Sequence, residues 1–93
     1  MDIATVVTLA KIDLGQRSAA YDEYLTHLAE SAQQMIAGEG IVLTDDAQDV
    51  QLVVMYTAYL FRKRAEDLPA MPRMLRYALN NRLMAQKMGE GGT

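Results

Sequence analysis

The amino-acid sequence predicts an all-α protein, a small four-helix bundle-like protomer, and three observations support this class. Apolar residues recur at spacings of three and four along most of the 93 residues. No Asn-Gly or Asp-Gly dipeptide, the usual turn of a β-hairpin, joins two alternating segments. Glycines and aspartates, which favour helix ends and starts, separate the apolar segments.

Length and composition indicate a single domain. A hydrophobic content of 51% with 23% charged residues is typical of a globular chain. We expect residues 1–88 to form one helical domain and residues 89–93 a flexible tail. Cysteine is absent, which excludes disulfides and thiolate metal sites, so oligomerisation is the remaining means of stabilising so small a core. The longest uncharged stretch, Val50 to Phe61, is too short to span a membrane, and we expect a soluble protein.

The net charge of −3 conceals two regions of opposite sign. Residues 1–61 contain two cations and nine acids, a net charge of −7, and residues 62–93 contain seven cations and three acids, a net charge of +4. These regions could pair within one chain, pair between neighbouring copies, or leave the basic part free for phosphates.

The first helix is predicted from Ile3 to Leu14. Its apolar face consists of Ile3, Val6, Val7 and Ala10, and Gly15 ends it. The β-branched run at residues 5–8 would also suit a strand.

The second helix is predicted to begin after Ser18, a good N-cap, and to end at Gly38. Acidic residues in its first turn suit the helix dipole. Its narrow apolar seam consists of Tyr21, Leu25, Leu28, Ala32 and Met35.

The third helix is predicted to be central. Asp45 and Gln48 resemble a capping box, and the following segment to Phe61 is apolar almost all round. One face consists of Val50, Val53, Val54, Thr57 and Phe61, and the other of Leu52, Met55, Tyr56 and Tyr59. We expect the second face to lie at or near a contact with another subunit.

The fourth helix is predicted to begin around Pro72 and to continue to about Met88. A leucine stripe, which consists of Leu75, Ala78, Leu79 and Leu83, faces the core. Arg82 lies among these leucines, so we expect a carboxylate to pair with its guanidinium. Beside it run a methionine and tyrosine stripe, Met74, Tyr77, Met84 and Met88, and a basic stripe, Arg73, Arg76, Asn80 and Lys87.

Catalysis is not favoured by these residues. The only histidine, His27, lies one turn from Glu23 and from Glu30, but a solvated helix face explains this trio better than a metal site. No glycine-rich loop joins a strand to a helix. We expect no enzyme activity, no metal and no cofactor.

The basic stripe leaves three alternatives open. Its cations could line a channel that carries DNA, meet the acidic second helix of the same or the next subunit, or keep the surface soluble. The methionines could form an adaptable contact surface or fill the core. We favour an intersubunit or partner contact for part of the methionine and tyrosine stripe.

Two segments, QLVVMYTAYLFRKR (51–64) and MPRMLRYALNNRLMAQKM (71–88), resemble the small head-tail connector proteins of tailed phages and prophages. The first half of the chain is similar in a looser way. The link between the second and third helices, residues 38–44, is shorter than in many connectors.

The resemblance implies a structural protein that forms a ring under the portal, extends the DNA channel and offers a docking platform to the next connector or tail protein. Its partners would be further copies of itself, the portal protein, the downstream protein and, without sequence specificity, packaged DNA. It would be assembled in the host cytoplasm and lie at the head-tail joint of the virion. The candidate interface residues are Leu52, Met55, Tyr56, Tyr59, Met74, Tyr77, Met84, Met88, Arg73 and Arg76, and the candidate channel-facing residues are Arg73, Arg76 and Lys87.

A small helical regulator that binds duplex DNA is the alternative function. The basic fourth helix favours it, whereas the overall acidity and the long proline-bearing linker in place of a helix-turn-helix turn do not. A helical scaffold module without nucleic-acid contact is a third possibility.

Overall fold

The structure, a computed structural model, describes residues 1–66 and 70–91. These residues form four α-helices, α1 (Ile3–Leu14), α2 (Asp22–Gly38), α3 (Ala47–Glu66) and α4 (Arg73–Gly91), and contain no strand. The predicted all-α class is therefore confirmed. In these residues no helix is both long enough and apolar enough to cross a membrane.

Helix α1 has the predicted bounds because both of its ends are capped. The Asp2 carboxylate accepts hydrogen bonds from the Ala4 amide (3.1 Å) and the Thr5 hydroxyl (2.7 Å). Gly15 ends the helix in the left-handed conformation, with φ 69°, and the Gln16 amide donates to the Lys11 carbonyl at 2.9 Å. The β-branched run stays helical because the helix buries its valines against α2 and α3.

Helix α2 ends at Gly38, as predicted, but it differs from the prediction in where it begins and in how its end is capped. Ser18 is a cap, as predicted, but it caps a 3₁₀ turn at Ala19–Tyr21 that precedes the α-helix, through a 3.0 Å bond from the Ala20 amide. At the other end Gly38 is still helical, and the residue with positive φ is Gly40, at 96°. The turn that requires glycine is therefore two residues later than predicted.

The buried face of α2 follows a longer period than the predicted seam. The buried side chains are Leu25, Leu28, Ala29, Ala32 and Ile36. Tyr21 and Met35, the two ends of the predicted seam, are exposed. An alternating spacing of four and three has a period of 3.5, and a straight helix of 3.6 residues per turn drifts away from it by about 20° per heptad. The prediction is therefore right in the middle of the helix and wrong at its ends.

Helix α3 occupies the centre, as predicted, because it packs against all three other helices. Its N-cap is Asp46, whose carboxylate accepts from the Gln48 amide at 2.8 Å. The predicted N-cap, Asp45, is therefore wrong by one residue. The Asp45 carboxylate instead lies 3.0 Å from the Met1 amino group. Thr57, a fully buried polar residue of this helix, donates its hydroxyl to the Val53 carbonyl at 2.7 Å.

Helices α1, α2 and α3 pack on one another, whereas α4 packs mainly on α3. Pro72 directly precedes α4, and its carbonyl accepts from the Arg76 amide at 3.2 Å. The helix continues to Gly91, three residues beyond the predicted end at Met88, so the predicted tail is wrong at residues 89–91. Residues 92–93 of that tail and residues 67–69 of the linker lie outside the described residues.

Candidate assembly surface

Helix α4 is attached to the rest of the chain by a short leucine stripe. Leu75 and Leu79 are buried, and Ala78 and Leu83 are partly buried against the same core. Their spacing of three and four places them on one face of the helix, as the sequence predicted. The opposite face of α4 therefore points away from the core.

A partly buried ion pair reinforces this attachment. The Arg82 guanidinium contacts the Asp49 carboxylate through two bonds, Nε to Oδ1 at 2.7 Å and Nη2 to Oδ2 at 3.1 Å. This confirms the prediction that a carboxylate pairs with Arg82. The Thr44 amide and hydroxyl also donate to Asp49 Oδ2, at 2.8 and 3.0 Å. These donors, with the Arg82 hydrogen bond as the largest cause, lower the pKa of Asp49 although its burial opposes them.

Polar contacts to the loop between α2 and α3 continue from the same pair. Arg82 Nη2 donates to the Val42 carbonyl at 2.8 Å. The Gln86 side-chain amide donates to the Gly40 carbonyl and accepts from the Val42 amide, each at 2.8 Å. Sequence reasoning missed Gln86, and its spacing of four residues from Arg82 is the only hint that the sequence offers.

Arg76 is held in the same way, by Glu39. Its two terminal nitrogens donate to the two carboxylate oxygens at 2.8 and 3.1 Å. This bidentate bond to Glu39 is the main cause that raises the pKa of Arg76. The Arg76 charge is thus paired within the chain, although its side chain is still 42% exposed, and its role in an intersubunit or DNA contact stays a prediction. Of the predicted channel-facing cations, Arg73 and Lys87 are exposed.

The outward face of α4 carries the predicted methionine and tyrosine stripe. Met74 is 77% exposed, Tyr77 58%, Met84 61% and Met88 69%. Asn81, also exposed, lies between Tyr77 and Met84 on the same face. We call these five residues the α4 seam. Their exposure confirms that the stripe does not belong to the core of the single chain.

The predicted contact face on α3 is corrected. Leu52 is buried, and Tyr56 and Tyr59 are only 7% and 8% exposed in the single chain. The two tyrosine rings pack edge to face with centroids 5.9 Å apart, and burial is the main cause that raises the pKa of Tyr56. Both apolar faces of α3 are therefore largely buried within the single chain.

Met55, the remaining residue of that face, is half-buried and lines an open groove of about 420 Å³ between α3 and α4. Leu52 forms part of its floor, and Ala78, Asn81 and Ala85 form the α4 side. The groove therefore borders the α4 seam, with small side chains between the two.

Two further exposed apolar residues lie on α1. Ile12 is 73% exposed and Leu9 is at the border of exposure. Sequence reasoning did not single them out, since they lie off the apolar face of that helix. Isolated exposed apolar residues of this kind are common on protein surfaces.

His27, Glu23 and Glu30 are all exposed on α2. Among residues 1–66 and 70–91, no group of three or more His, Cys, Asp or Glu side chains is placed to hold a metal ion. The trio lies on a solvent-exposed face of α2.

Comparisons with protein-family models, curated proteins and solved structures find no match to this chain.

Proposed function

We propose that this protein is a structural assembly protein of the head-tail connector kind. In this proposal it forms a ring under the portal of a tailed phage or prophage, extends the DNA channel and gives the next connector or tail protein a surface to bind. It is not an enzyme and needs no cofactor. The single observation that carries the proposal is the exposed α4 seam.

The size of the seam supports a role in protein association. Large apolar side chains each offer roughly 150 to 250 Å² when fully exposed. The four apolar members of the seam are mostly exposed, so they present on the order of 500 Å² of apolar surface, near the upper end for a typical monomer. Contact between such a patch and water is unfavourable, and binding to another protein removes the patch from water.

The type of residue supports the same role. Methionine is flexible and adapts to irregular surfaces, and tyrosine is enriched at interfaces because its hydroxyl tolerates water. A connector contacts different proteins above and below its ring, for which an adaptable surface is suited. The specific assignment to connectors depends on the resemblance of residues 51–64 and 71–88 to that family.

The remaining charges allow neighbouring copies to meet head to tail. Arg73 and Lys87 are exposed on α4, and Glu23 and Glu30 are exposed on α2. A contact between unlike surfaces of identical copies closes into a ring when the rotation between them is right. Exposed pairs contribute only about 0 to 1 kcal/mol each, so they would set register more than affinity.

Ion pairs within the chain weaken the alternative of a DNA-binding regulator. Arg76 and Arg82, two of the four cations of α4, bind carboxylates of the same chain. Helix α4 thus presents Arg73 and Lys87 to solvent, a small footprint for phosphate contacts. The regulator remains as an outcome of the test below.

The test is co-expression with the portal protein encoded in the same genome. We expect the wild type to co-purify with portal assemblies and to appear as an added ring in electron micrographs. Met84→Glu should abolish both the co-purification and the added ring. Ile12→Glu, an equally exposed apolar residue on α1, is the matched control and should co-purify normally. The DNA-binding regulator would become the favoured function if the wild type failed to bind portal and bound one duplex sequence tightly in a gel shift.

A further inference from the structure

The spacing of the α4 seam is that of a coiled coil. Its members, Met74, Tyr77, Asn81, Met84 and Met88, follow one another at intervals of three, four, three and four residues. These are the a and d positions of a heptad repeat, with Met74, Asn81 and Met88 at a and Tyr77 and Met84 at d. All five side chains are exposed, so the pattern is not explained by packing within the chain.

We infer that the α4 seam binds the same seam of a second copy, so that the free protein is a dimer joined by a parallel, two-stranded coiled coil. The inference goes beyond the proposed function, because it concerns how free chains associate before any ring or portal is present.

Register is the first support for a second copy. In a parallel, in-register pair, each a residue faces the same residue of the other helix. Asn81 would then face Asn81 of the second copy, and the two side-chain amides can hydrogen-bond to each other. A single asparagine at an a position is a known device that fixes register and strand number at some cost in stability. On a general apolar contact surface, an asparagine in the middle would have no such use.

Charge selects the parallel orientation. One side of the seam is flanked by the g positions, which are Arg73, Asn80 and Lys87. The other side is flanked by the e positions, which include Ala78 and Ala85. Parallel helices place g of one chain against e of the other, here a cation or an amide against alanine. Antiparallel helices would place Arg73 opposite Lys87 of the second copy, which is repulsive.

The area is sufficient for a weak but specific dimer. Two seams that each offer on the order of 500 Å² bury at most about 1,000 Å² together, the lower end for a specific interface. The small side chains of Ala78 and Ala85 let the partner helix approach closely, over the edge of the groove that Met55 lines. The pairing helices are also already ordered, since Leu75 and Leu79 anchor α4 to the core, which reduces the entropy lost on binding.

The geometry leaves room for the second copy. At 100° per residue the centre of the seam lies about 160° from the buried leucines of α4. The two cores would therefore lie on opposite outer sides of the paired helices and would not collide. A ring neighbour or partner protein that uses the α4 seam would have to displace this dimer.

The first test measures the mass of the purified full chain by sedimentation equilibrium over a dilution series. We expect a reversible equilibrium between 10.3 kDa monomers and dimers of twice that mass. Met84→Glu should remain monomeric throughout the series, with unchanged helix content by circular dichroism. Ile12→Glu, the matched control, should dimerise as the wild type does.

The second test uses the absence of cysteine in the chain to determine orientation. Met74→Cys and Met88→Cys are each oxidised alone under mild conditions. In a parallel pair both variants should form disulfide-linked dimers, because each cysteine faces its own copy. In an antiparallel pair the two like cysteines would be separated by about 20 Å, the rise of fourteen helical residues, and neither would cross-link.

Three outcomes would overturn the inference. A wild type that stays monomeric at every concentration would mean that a different protein covers the seam. A limiting mass above that of a dimer would exclude a two-stranded coil. Cross-linking only in a mixture of the two cysteine variants would show the antiparallel orientation. None of these outcomes depends on whether the protein binds a portal, so the connector proposal is tested separately.

Discussion

At the scale of single residues, the contact between Asp49 and Arg82 has the largest consequence for α4. A guanidinium among leucines is stable only when it is paired, and the partner comes from the start of α3, 33 positions earlier in the chain. The same carboxylate also binds Thr44, so one buried side chain joins the loop, α3 and α4.

Replacing Asp49 by asparagine should lower the free energy of unfolding by about 3 kcal/mol, because it leaves a largely buried guanidinium without a counter-charge. Urea denaturation followed by circular dichroism measures this. The control is Asp13→Asn, which removes a half-exposed pair with Arg62 at 3.4 Å and should cost at most about 1 kcal/mol. Equal losses in the two variants would contradict the assigned role of Asp49.

The lowered pKa of Asp49 makes stability depend on pH in acid. Because the folded pKa lies below the ordinary value of 3.8, this carboxylate stabilises the fold fully above that value and progressively less as the pH falls through the folded pKa. We expect the urea midpoint of the wild type to fall below about pH 4. Asp49→Asn should show a shallower fall, and an unchanged slope would contradict the contribution of this group.

At the scale of elements, helix type and order could be predicted from apolar spacing and capping residues, and α1 has the bounds that its sequence predicts. The errors have physical causes. A seam drawn with period 3.5 assigned Met35 to the core of α2 in place of Ile36. Two adjacent aspartates offered equal caps for α3, and only the backbone geometry selects Asp46.

Which faces of α3 and α4 meet solvent could be predicted only in part. The methionine and tyrosine stripe of α4 was separable from its leucines because the two lie on different sides of the helix. The burial of Tyr56 and Tyr59 was not predictable, because it depends on how distant segments of the chain pack on α3. The partners of Arg76 and Arg82 are distant in sequence, so pattern alone could not identify them.

The register of α2 can be tested with neighbouring residues. Ile36→Ala should lower the free energy of unfolding by about 2 to 5 kcal/mol, since it removes buried methyl groups and leaves a cavity. Met35→Ala, at a half-exposed position, should cost less than about 1 kcal/mol. Chemical denaturation of both variants measures these losses. A larger loss for Met35→Ala than for Ile36→Ala would instead support the seam predicted from the sequence.

At the scale of the whole molecule, the chain divides its apolar residues between two tasks. The faces of α1, α2 and α3 form a core to which both buried tyrosines of α3 belong, whereas α4 uses one face to join that core and leaves the opposite face in solvent. The opposite charges of the two chain regions meet partly within the molecule, in the pairs that hold α4. The exposed large apolar side chains of α4 thereby lie together on one outward face of that helix.

The most direct test of this account compares Tyr59→Glu with Tyr77→Glu, measuring the thermal midpoint and the solution mass of each. A buried glutamate is costly, so Tyr59→Glu should lower the midpoint by more than about 10 °C. Tyr77→Glu should leave the midpoint of the dissociated chain within a few degrees and abolish association. Loss of association in a stably folded Tyr59→Glu, with normal association of Tyr77→Glu, would place the contact surface on α3 and contradict the account.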